Sequence, residues 1–117
     1  FGYLNRDSEA LQSLYKYAKF HALVSFLETP GISNIEALFH GKNILVGDCS
    51  PVRSCFGDYA TYCNPNSIQS ITKNIDKCFS SDLAGGDAIL DFALSKFSLN
   101  SVSDKISSIY RRVLIDG

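Results

Sequence analysis

Apolar positions recur along this chain at spacings of three and four residues, a rhythm that predicts helices. The longest series is Leu11, Leu14, Tyr15, Ala18, Ala22 and Phe26. Asp7 or Ser8 can cap its start, Glu9 suits its first turn, and Thr29-Pro30-Gly31 stops it. Phe20, Leu23, Val24 and Leu27 spread apolar surface around the other side, so this segment is expected to be the buried core helix. Ser33-Asn34-Ile35-Glu36 has the form of a capping box and predicts a short helix to His40, ended by Gly41. The run Ile44-Leu45-Val46 fits a short buried strand or another helical turn. If Pro51 to Tyr62 is helical, Phe56, Tyr59 and Tyr62 share a face. Asn64-Pro65 predicts a helix start, followed by a stripe of Ile68, Ile71, Ile75 and Cys78 or Phe79. Gly85-Gly86 breaks the chain, and Asp87 opens a helix with Ala88, Ile89, Phe92 and Ala93 inward. Beyond a turn at Asn100-Ser101, Val102, Ile106, Ile109, Tyr110 and Val113 fall on one face of a last helix. The sum is an all-α fold: one domain over residues 1–117, a bundle of four long and one or two short helices.

Composition adds two constraints. The 117 residues are 45% hydrophobic and 20% charged, enough apolar bulk for a core and too little charge for disorder. Eleven basic and twelve acidic residues are scattered, which leaves no basic stripe for nucleic acid. No apolar run approaches the ~20 residues of a membrane span. Met is absent, and Phe1-Gly2 resembles the start of a mature chain freed of a targeting segment. Cys49, Cys55, Cys63 and Cys78 then read as two disulfides stapling the bundle in a secreted protein. With Cys55 and Cys63 two helical turns apart, the pairing is Cys49–Cys55 with Cys63–Cys78, or Cys49–Cys63 with Cys55–Cys78.

Motifs for chemistry are sparse. His21 and His40 lack a neighbouring nucleophile, and the cysteine spacings of six, eight and fifteen positions are not those of a zinc site. Gly85-Gly86 lacks the Lys of a phosphate loop. No catalytic residue, metal or cofactor is expected, and the chain reads as a non-enzymatic binder. Phe20, Phe26, Phe39, Phe56 and Phe79 would line a cavity if it carries a small apolar ligand. Tyr59, Tyr62, Tyr110, Arg111 and Arg112 are the candidates if it meets a protein, because Tyr and Arg are enriched at interface hot spots.

The long series Glu9-Ala-Leu-Gln-Ser-Leu-Tyr-Lys-Tyr-Ala-Lys-Phe-His21 and the four cysteines from Cys49 to Cys78 give a format that resembles the anopheline mosquito salivary family that includes albicin and anophensin. The resemblance implies a monomeric secreted salivary inhibitor that binds host plasma proteins. Its first target would be the C3 convertase of the alternative complement pathway, and its second the factor XII and kininogen contact system.

Overall fold

The computed structural model of the chain describes residues 2–80 and 85–116, so Phe1 of the expected mature start lies outside the described residues. The fold is organised by Ile44-Leu45-Val46, which forms the middle of β2 (Asn43–Gly47). β1 (Phe20–Leu23) and β3 (Ala60–Cys63) pair parallel to it on either side, in the order β1-β2-β3. The register sets His21 beside Ile44 beside Ala60, and Leu23 beside Val46 beside Tyr62. A central parallel strand is covered on both faces, which explains an unbroken apolar run in place of alternation. Ile44 and Val46 enter one cluster with Leu38, Val52, Phe56, Ile89 and Ala93. Leu45 points the other way, to Cys63 and Cys78.

Six α-helices surround or extend this sheet among the described residues: α1 (Glu9–Tyr17), α2 (Ile32–Phe39), α3 (Ser50–Phe56), α4 (Ile68–Ser80), α5 (Gly86–Phe97) and α6 (Leu99–Asp116). Ser8 caps α1 as its sequence suggests, its Oγ accepting the N–H of Leu11 at 3.3 Å. α2 starts at Gly31, so Ser33 lies inside the helix and no capping box forms. At its other end Gly41 takes φ +65°, and the backbone of Gly86 presses close enough that a Cβ on Gly41 would lie 2.9 Å from its carbonyl oxygen. Asn64-Pro65 forms a turn, and Ser67 opens α4 three residues later, its Oγ accepting the N–H of Ser70 at 3.1 Å. Ser98 does the same for α6, its Oγ accepting from Ser101 at 3.2 Å.

The all-α expectation is therefore corrected to a mixed α/β fold. The central helix expected to run to Thr29 ends at Tyr17, and Phe20–Leu23 leaves as a strand. The helical spacing does continue through Phe20, but the edge of β2 offers those residues backbone partners and an apolar face. Tertiary pairing then overrides local preference. Likewise the helix entertained for Pro51 to Tyr62 stops at Phe56, passes through a 3-10 turn (Gly57–Tyr59) and becomes β3.

The disulfide staples are corrected too, because Cys49, Cys55, Cys63 and Cys78 are all free thiols. Cys63 and Cys78 serve as small apolar core residues beside Leu45, and burial raises both of their pKa values, which keeps them protonated. A last departure concerns α6. Its stripe of Val102, Ile106, Ile109, Tyr110 and Val113 was expected to face a bundle core, yet these side chains are 40–65% exposed. The helix contains no buried residue among those described. It extends from α5, and the longest dimension of the molecule is 52 Å against 33 and 29 Å.

Candidate functional site

All three strands run the same way, so their carboxyl ends, Leu23, Gly47 and Cys63, open on one edge of the sheet. In an open parallel sheet that edge is where ligands settle. Here it is built by the segment from Val24 to Gly31, which leaves β1, passes the end of β2 and enters α2. The carbonyl of Ser25 lies so close to Gly47 that a Cβ there would collide with it. The Cys49 thiol donates weakly to the carbonyl of Glu28 at 3.9 Å, tying the same segment to the start of α3.

Gly31 is the hinge of this edge. Its φ of +84° suits only glycine, and a Cβ on it would lie 2.8 Å from Leu23 Cδ2, 2.9 Å from Asn34 Nδ2 and 3.3 Å from Glu28 Cγ. Among the described residues no side chain caps α2. The first-turn N–H groups of Ile32 and Ser33 consequently lack an intrahelical partner, and the positive end of the helix dipole faces the edge. Fully buried Asn34 donates its Nδ2 to the Pro30 carbonyl at 2.8 Å, while its Oδ1 has no partner among the described residues. Such a cradle takes an anion on its N–H groups. The carboxylate of Glu28 beside it is an acceptor for hydroxyl groups.

A second polar group lies along α2. Tyr15 donates its hydroxyl to Glu36 Oε2 at 2.9 Å, and Arg6 Nε stands 3.9 Å from Glu36 Oε1. Burial and the bond to Glu36 push the Tyr15 pKa up to about 12. The Tyr15 ring stacks on His40 at 5.3 Å and meets His21 at 6.0 Å. His21 buries an Nε2 with no partner among the described residues, and desolvation lowers its pKa against an opposing pull from Glu36.

The residues singled out from sequence are not gathered here. Tyr59 stacks on Phe92 at 3.9 Å, and Tyr62 donates to the Gly57 carbonyl at 2.7 Å beneath the Arg53 guanidinium. Tyr110, Arg111 and Arg112 stand exposed along α6. The five phenylalanines line no common cavity either: Phe56 is core, Phe20 meets Phe79 edge-on at 5.2 Å, and Phe26 is exposed. Glu28, Gly31 and Asn34 were overlooked because Thr29-Pro30-Gly31 reads locally as a helix stop. The available signal was larger: a helix between two short apolar runs, Phe20–Leu23 and Ile44–Val46, is a β-α-β pattern.

Residues 1–86, well over half of the chain, match the family model described as Glycosyl transferases group 1. None of the curated proteins matches the chain. The family match, together with the parallel sheet, replaces the resemblance to the anopheline salivary family and the functions drawn from it. A complement or contact-system inhibitor, or an apolar-ligand carrier, is overturned, and so is the expectation of a non-enzyme that binds host plasma proteins. The match is to an enzyme family that handles sugar donors and acceptors.

Proposed function

The chain belongs to the group 1 glycosyl transferases, and on that premise we propose that it binds the activated sugar donor of a glycosyl transfer. A glycosyl donor carries a leaving group on its anomeric carbon. Transfer breaks that bond, joins the carbon to an acceptor oxygen and releases the acceptor's proton. The edge at Gly31 suits a phosphate-type leaving group, which gathers negative charge as the bond breaks and would lie against the N–H groups of Ile32 and Ser33. Glu28 is placed to accept hydrogen bonds from the sugar hydroxyls. A nucleoside diphosphate sugar unites these features and fits a crevice at the carboxyl ends of parallel strands. The observation that carries this reading is the uncapped start of α2 at Gly31, turned toward that crevice.

The test is calorimetric titration of the purified chain with uridine and guanosine diphosphate sugars, each beside its free diphosphate. Saturable binding is expected, weakened at least tenfold by Gly31→Ala, while Glu28→Gln weakens the sugar more than the free diphosphate. Absence of heat from every nucleotide at millimolar concentration would end the donor reading.

A further inference from the structure

Two exposed apolar features remain that the donor crevice does not use. One is the stripe on α6, which runs on to Leu114 at the tip, 81% exposed. The other is a groove of about 550 Å3 at the root of the same helix, walled by Ile32, Ile35, Phe39, Phe97 and Leu99, with Arg6 and Glu36 on its rim. Ile32 sends its side chain here although its N–H faces the crevice, and Leu99 is 89% exposed. Leu99 belongs to both features, because its position on α6 falls within the stripe. The eighteen residues of α6 separate root from tip by about 27 Å.

We propose that this surface joins two copies of the chain. Their α6 helices pack antiparallel about a twofold axis, and Leu114 at the tip of each copy enters the groove at the root of the other. One arrangement then covers both features in both copies, as a closed isologous contact requires. The stripe together with Leu99 and Leu114 exposes on the order of 800 Å2 of residue surface, so its full coverage would reach the share one partner brings to a standard interface. Antiparallel alignment also opposes the two helix dipoles. Ser103 and Ser107, small residues beside the stripe, let the helices approach. A membrane surface suits α6 less well, because its polar side is rich in serine and sets Asp104 among Lys105, Arg111 and Arg112. Tyr110 lies inside this interface, whereas Arg111 and Arg112 fall off the stripe. The proposal stands apart from the donor-site reading, and neither depends on the other.

Sedimentation equilibrium of the full chain from 1 to 100 µM tests it. A dimer is expected, with Ile106→Asp raising its dissociation constant at least 100-fold and leaving the circular dichroism spectrum of the folded body unchanged. Mild oxidation of a mixture of Leu99→Cys and Leu114→Cys chains should link the two variants to each other, with the unsubstituted chain as control for the native thiols. A monomer at 100 µM, a dimer indifferent to Ile106→Asp, or Leu99→Cys linking chiefly to itself would each overturn the proposal. So would a monomer that sediments with anionic vesicles.

Discussion

β2 and α6 are both built on apolar side chains, and they end in opposite surroundings. In β2, Ile44, Leu45 and Val46 are at most 1% exposed, held between β1 and β3 and covered on both faces. In α6, a regular stripe with the spacing of any core-facing helix meets no core at all. The contrast separates two things that hydrophobic patterning is often taken to report together. Pattern says that a face is made to be covered. It does not say whether the cover comes from the same body or from outside it.

The largest effect should come from cutting the two elements in turn. Leu45→Ala removes buried bulk between two packed layers and should cost about 2–5 kcal/mol in urea unfolding. Ile106→Ala, measured at a dilution where the chain is monomeric, should change stability by only about 0.5 kcal/mol or less. Equal losses would mean that α6 packs on the body in solution. A smaller effect separates two glycines within the α/β body. Gly31→Ala should cost about 1–3 kcal/mol from its left-handed backbone, with the collisions at Leu23 and Asn34 added. Gly57→Ala, with φ +50° and open space around it, should cost less.

The smallest effect is one of pH. His21 belongs to β1, and its folded-state pKa is depressed by burial. The unfolded chain therefore binds the proton more readily, and stability rises with pH across that interval. The His21 contribution is complete above the unfolded pKa of about 6.5 and declines as pH falls below it. The thermal midpoint should drop between pH 7.5 and 5.5, and His21→Gln should flatten that drop. α6 contains no histidine, so removing its apolar stripe should leave the slope alone.

How much could be read in advance follows the same division. The start of α1 at Ser8 and the end of α2 at Gly41 were legible, and the helix expected from Asp87 opens one residue earlier, at Gly86, because caps and glycines act locally. β1 was not. It is four residues long, its Phe20 and Leu23 continue the helical spacing of α1, and only pairing with β2 distinguishes it. The four cysteines invited a staple, because sequence cannot show that Cys63 and Cys78 are packed into an apolar layer. At the crevice, the work is assigned to backbone N–H groups beside Gly31, and a backbone group has no residue letter. Glu28 was one carboxylate among twelve until the fold set it against that turn.

The thiols carry one more consequence. Cys63 and Cys78 are sealed beside Leu45, whereas Cys49 and Cys55 are half-exposed on either side of the α3 turns. A thiol-reactive reagent would therefore keep two clocks on one molecule. The outer pair marks local breathing around α3, and the inner pair reacts only when the sheet itself comes apart.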